Sequence, residues 1–191
     1  MADGNRSDLD RREVGNTGVT LGRLAAEALA AREFAFVPHS GFKVGAAVLT
    51  AGGKVFRGCN VESAAYPLTN CAERVAVQKA VSEGERTILA VAVAADASYL
   101  RKTEGAARAG SAGAPALPGP ADGAPALPGS AGPPAPLTLD DFVTPCGACR
   151  QVIYEFGPEA LVLLVDLEGG RFLTSARELL PGGFRLEGFV R

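Results

Sequence analysis

Cys71-Ala72-Glu73-Arg74 and Pro145-Cys146-Gly147-Ala148-Cys149-Arg150 are the two stretches on which the fold turns. Each heads a helix-forming run. One extends from Ala72 to Glu83, with Gly84 in the position of a C-terminal cap, and the other from Gly147 to Phe156. Together they hold three of the four cysteines, with a carboxylate two residues after the first. Three thiolates leave the fourth tetrahedral position of Zn²⁺ open for a water, and a nearby non-ligand Glu supplies the proton shuttle that hydrolysis at a ring carbon needs. A structural zinc site is normally closed by a fourth ligand.

The spacing carries the chemistry. A helix start presents unpaired N–H groups and the positive end of the macrodipole, both of which favour thiolates. Cys146 and Cys149 are one helical turn apart, so their sulfurs face one side, and Cys71 arrives from a second helix. Three thiolates on Zn²⁺ leave a net negative charge that opposes ionisation of a bound water. Arg74 and Arg150 are the available cations, through hydrogen bonds from a guanidinium to ligand sulfur; their other reading is a pair of solvated surface arginines. Glu73 reads as the proton acceptor beside the metal or, taken alone, as an ordinary first-turn acid.

Outward from these segments, Leu21, Leu24, Ala25, Ala28 and Leu29 recur on one helical face, and that helix ends before Pro38. Lys43 to Ala51 and Lys54 to Val61 flank Gly52-Gly53 and read as an antiparallel hairpin. Strands follow at Ile88 to Ala95, Leu161 to Leu167 and Arg171 to Thr174, and a helical turn at Ala176 to Leu180. That order predicts an α/β sandwich with a mixed sheet, the two cysteine segments at adjacent helix starts. Residues 1–19 are polar and expected to be flexible. Residues 101–136 are dominated by Ala, Gly and Pro and repeat Gly113-Ala-Pro-Ala-Leu-Pro-Gly119 as Gly123 to Gly129, which predicts a disordered insertion within the domain.

At 191 residues and 47% hydrophobic content, the chain suits one compact domain spanning 1–191. A net charge of -2 without a basic block argues against nucleic acid as a partner. The first nineteen residues lack a signal-peptide core and no segment approaches a membrane span, so the expectation is a soluble, cytoplasmic protein that does not engage membranes. In a reducing compartment the Cys146/Cys149 spacing favours metal over disulfides.

Five motifs in order then resemble a family: Phe42-Lys-Val-Gly-Ala-Ala47, Gly58-Cys-Asn-Val-Glu62, Tyr66-Pro-Leu-Thr-Asn-Cys-Ala-Glu-Arg74, Pro145-Cys-Gly-Ala-Cys-Arg-Gln151 and Glu178-Leu-Leu-Pro181. They are similar to the motifs of small homotetrameric cytidine deaminases, within the wider zinc deaminase group. The resemblance spans about residues 20 to 185 apart from the insertion. It implies a three-layer α/β/α sandwich with a mixed five-stranded sheet, one Zn²⁺ per subunit, and attack of zinc-held hydroxide on C4 of cytidine or deoxycytidine, yielding ammonia and uridine or deoxyuridine for pyrimidine salvage. It also implies zinc ligands at Cys71, Cys146 and Cys149, and Glu73 as the proton carrier.

For the substrate, the resemblance implies that Asn60 and Glu62 bind the ribose hydroxyl, that Phe42 packs on the pyrimidine, and that Ala72 offers its backbone to the base. It implies that Tyr66 and Phe184 reach a neighbouring subunit's pocket. Core packing is an equal account of Tyr66 and Phe184 from the residues alone, and for Phe42 composition favours a core residue until the motif brings the two readings level. Cys59 reads as a buried small hydrophobe. His39 stands where relatives commonly carry Tyr and reads as a surface or packing residue. Two rivals stand beside this reading: a three-cysteine deaminase of another aminated pyrimidine such as blasticidin S, and a non-enzymatic zinc-stapled binding module, which requires a fourth protein ligand.

Overall fold

A computed structural model describes residues 6–99 and 137–185. The expected insertion at 101–136 lies outside the described residues. Strands β1 (Val44–Thr50) and β2 (Val55–Cys59) form the hairpin, with Gly53 supplying a positive φ of 75° at its turn. Their register sets Ala46 opposite Gly58 and Val48 opposite Phe56. The sheet order is β2-β1-β3-β4-β5, where β3 is Ile88–Ala95, β4 is Leu161–Asp166 and β5 is Arg171–Ser175. Only β3 and β4 pair in parallel, and that pairing requires a crossover between them. The three-layer, five-stranded mixed sandwich is therefore present.

Helix α2 (Leu21–Arg32) covers one face, its N-terminus capped by the Thr20 hydroxyl accepting from Arg23 N–H. Leu21, Leu24, Ala25 and Ala28 pack there on Ala47, Leu49, Ala92 and Leu163. Helices α3 (Ala72–Ser82) and α4 (Gly147–Phe156) cover the other face, burying Ala76, Val77 and Ile153 on Val48, Val91 and Val162. Every residue of β1 is buried, because the strand is internal in the sheet and covered on both faces. Its near-continuous apolar run follows from that position.

Two glycines set the helix heights. A Cβ on Gly45 would lie 2.1 Å from Ala28 O, and one on Gly58 2.4 Å from Ala72 O, so α2 and α3 approach the sheet more closely than any side chain permits. Gly58 thereby fixes the level at which α3 begins, one residue after Cys71.

Within the stretch 1–19, expected to be flexible, the described residues 6–19 form α1 (Arg6–Arg11) and lead into Val14 and Val19, both buried in the α2-side core. Asp10 pairs with the buried Arg171 of β5 at 3.4 Å, and Leu21 N–H donates to Arg12 O. Two valines and one ion pair anchor a segment whose composition is otherwise polar. The hairpin strands are also shorter than expected at the β2 end, because Val61 leaves the ladder to bridge Phe36 and Asn70. A last helical turn, α5 (Ala176–Leu179), is closed by a capping box in which Ser175 and Glu178 satisfy each other's backbone N–H groups.

Candidate active site

The end of β2, the start of β1 and the end of β3 lie at one edge of the sheet, since Gly45 pairs with Cys59 and Val44 with Ala95. Open α/β sheets place their sites at the carboxyl ends of parallel strands, and β3 and β4 end here together. The antiparallel Val61–Asn70 bridge brings Asn60 alongside Cys71 and Glu62 alongside Thr69.

Cys71 is the N-cap residue of α3 and Cys146 that of α4, and neither side chain is used in capping. Both sulfurs are thus left for another partner while the helix ends favour their anionic form. Cys149 lies one turn into α4 and is buried. Sγ–Sγ separations are 3.9 Å for Cys71 and Cys146 and 3.4 Å for Cys146 and Cys149, with all three sulfurs within 4.8 Å of one another. Zn–S bonds of 2.3 Å in a tetrahedron give sulfur edges of about 3.8 Å. The donor set therefore fits zinc in type and spacing. Among the described residues it is the one cluster of three or more candidate ligands, and it contains no fourth.

Cys71 is held down at about 5, first by hydrogen bonding with Cys149, then by Cys146 and the Arg74 charge, against burial. Cys149 moves far the other way, through its hydrogen bond with Cys71 and its burial. Glu73 is only 4% exposed, and burial pushes its carboxyl up to about 7, with the Cys71 charge adding to the rise. A carboxyl poised near neutrality can both take and return a proton.

The two arginines part company. Arg74 donates to Thr69 O at 2.6 Å and stabilises the Cys71 thiolate. Its Nε is buried with no hydrogen-bond partner. Arg150 donates to Pro145 O (2.8 Å), Leu179 O (3.1 Å) and Thr144 Oγ1 (3.0 Å). Its fork clasps the Pro145 turn to the end of α5, and none of those three bonds reaches a sulfur.

Glu62 is buried, and its Oε2 accepts from His39 N–H (2.8 Å) and Ser40 N–H (3.2 Å). Hydrogen bonding from Ser40, then from the His39 backbone, holds its carboxyl below the usual range in spite of desolvation. Asn60 Oδ1 accepts from Val44 N–H and its Nδ2 donates to Phe42 O, both at 2.8 Å. Phe42 is half-buried and stacks on Tyr99 at 4.8 Å, a partner outside all five motifs. Ala72 is fully buried at the α3 start.

Tyr66 and Phe184 are 73% and 65% exposed, which removes core packing as their account in the single chain. Cys59 is half-buried, not buried as expected, because β2 is an edge strand; its thiol donates to Phe34 O at 3.3 Å. His39 is exposed, and its backbone N–H donates to Glu62.

A mixed sheet presenting three cysteine sulfurs and a buried, non-ligand glutamate at two helix starts is the arrangement of the zinc-dependent deaminases. Residues 20–165 match the family described as the cytidine and deoxycytidylate deaminase zinc-binding region. The cytidine deaminase of Sporosarcina psychrophila is 40% identical over 86% of this chain and 91% of its own. The crystal structure of cytidine deaminase from Burkholderia pseudomallei is 37% identical and covers 87% of this chain and 100% of its own, with a TM-score of 0.62. Blasticidin-S deaminase of Bacillus cereus is more distant, 25% identical over 72% of this chain and 74% of its own. The chain belongs to the cytidine and deoxycytidylate deaminase family.

Proposed function

We propose that this chain hydrolyses cytidine and deoxycytidine to uridine and deoxyuridine with release of ammonia, serving pyrimidine salvage in the cytoplasm. The observation that carries the reading is the three-sulfur cluster at zinc spacing with Glu73 buried beside it. Zinc bound there, one per subunit, supplies a Lewis acid that activates water at neutral pH. Cys71, Cys146 and Cys149 would hold it.

The remaining work falls to the chain. Glu73, with its carboxyl near 7, carries the two protons of the attacking water in turn, the first to the ring nitrogen as the C–O bond forms and the second to the amine as the C–N bond breaks and ammonia leaves. The fully buried Ala72 backbone and the Phe42 ring position the base, while Glu62 Oε1 and the second Asn60 amide proton bind a ribose hydroxyl. Arg74 offsets the negative charge of three thiolates through Cys71.

The same reading takes the active form to be a homotetramer. Tyr66, Leu68 and Phe184 stand 65% or more exposed in the single chain, and large apolar residues left bare beside a site suit contribution to a neighbour's pocket. The test is ultraviolet-monitored turnover of cytidine, deoxycytidine and blasticidin S by the purified chain, before and after chelation, alongside sedimentation. Zinc-dependent loss of the two nucleosides is expected. A zinc-loaded protein that leaves both intact would refute the assignment.

A further inference from the structure

The segment 38–43 presents the backbone N–H groups of His39 and Ser40 to Glu62 and carries Phe42. Its inner side is pinned by Glu62 Oε2 and by Asn60, which holds Phe42 O and Val44 N–H. Within the segment the Ser40 hydroxyl accepts from Phe42 N–H at 2.9 Å, and Gly41 takes a φ of 68° to make the reversal. The outer side has one further tie. Tyr99 donates its phenolic hydrogen to Ser40 O at 2.6 Å and lays its ring against Phe42, with centroids 4.8 Å apart.

Tyr99 is itself held. It closes the turn 96–99 by donating to Asp96 O, and Ala97 N–H donates to Asp166 Oδ1 at the end of β4. One residue thus couples the carboxyl ends of β3 and β4 to the loop that aims Phe42 and Glu62. The geometry points to Tyr99 as a positioning residue for substrate binding, acting through Ser40 on the Glu62 grip and through its ring on Phe42. This rests on the nucleoside reading of the site. It assigns a role in affinity and not in proton transfer, since these two contacts go to Ser40 and Phe42 and not to the cysteines or Glu73.

Tyr99→Phe removes the hydroxyl and keeps the ring; Tyr99→Leu removes both. Losing one neutral hydrogen bond should raise KM for cytidine about fivefold in Tyr99→Phe, with kcat within about twofold of wild type. Tyr99→Leu should raise KM further. Equilibrium binding of uridine should weaken in parallel, and the Tyr99→Phe effect should shrink to under about twofold on 2′,3′-dideoxycytidine, which offers Glu62 no 2′- or 3′-hydroxyl. Unchanged KM and uridine affinity in both variants, or a fall in kcat and melting temperature at constant KM, would overturn the inference while wild-type turnover left the function intact. Absence of cytidine turnover by the wild type would instead overturn the functional reading, and this inference with it.

Discussion

Gly58→Ala should disable the site from the far side of a helix. The added Cβ would stand 2.4 Å from Ala72 O and 2.5 Å from Ala76 N, both backbone atoms that no rotamer change can clear. Ordinary contact needs separations near 3.4 Å or more, so α3 must lift by about 1 Å. Strand β2 cannot yield instead without breaking a five-pair register with β1, and Lys79 additionally ties α3 to it by donating to Arg57 O at 2.9 Å. Overpacking of this kind costs about 2 kcal/mol, which in a chain of this size lowers Tm by about 4–8 °C. The larger effect is functional. Cys71 and Glu73 flank Ala72, and a displacement of about 1 Å at reacting groups costs about 100-fold in rate. Differential scanning calorimetry, zinc content by atomic absorption and cytidine turnover read the three consequences. A Gly58→Ala protein with wild-type Tm, full zinc and kcat within about twofold of wild type would refute the claim that close helix approach positions the site.

Glu73→Gln should keep zinc and fold but lose about 10²–10⁴ in kcat, because the amide cannot carry a proton. The same variant tests burial in the zinc-free protein. Glu73 is raised from 4.5 to about 7, so its contribution is whole below pH 4.5 and is lost as pH rises through 7. The stability of zinc-free Glu73→Gln relative to zinc-free wild type should therefore climb between pH 5 and pH 8 in thermal melts. Arg74→Gln removes the cation that stabilises the Cys71 thiolate, and the pH at which the deamination rate is half-maximal should rise; an unchanged pH profile would remove Arg74 from the mechanism. Arg150→Met deletes three hydrogen bonds that clasp Pro145 and Thr144 to Leu179 and should cost about 2–3 kcal/mol in urea unfolding, and Arg150→Lys should recover little, because an ammonium cannot span the three acceptors as a fork does.

Periodicity and turn chemistry made most of the fold legible. The Gly52-Gly53 hairpin, the helix from Ala72 and the buried strand from Ile88 all declared themselves locally, because each element's signal lies within a few residues. The N-terminus did not. Its anchors are two isolated valines and an ion pair with a residue 161 positions away, and no window of sequence contains both partners. Tyr99 escaped for the same reason, its partners Ser40 and Phe42 lying on a different segment. Arg150 was legible as a cation beside a ligand, but the atoms its fork would meet, Leu179 O above all, were not.

At the site itself, the sequence determined the donor types and half of the geometry. Two cysteines one helical turn apart at a helix start must present their sulfurs to one side, whatever packs around them. Only the tertiary structure brought Cys71 within 3.9 Å of Cys146 across 75 residues, and only it closed the site over Glu73. Spacing along a helix is set by backbone geometry, which a sequence carries with it. Proximity across the sheet, and the desolvation that lifts Glu73 to about 7, are set by which surfaces exclude water together, and that is decided by packing alone.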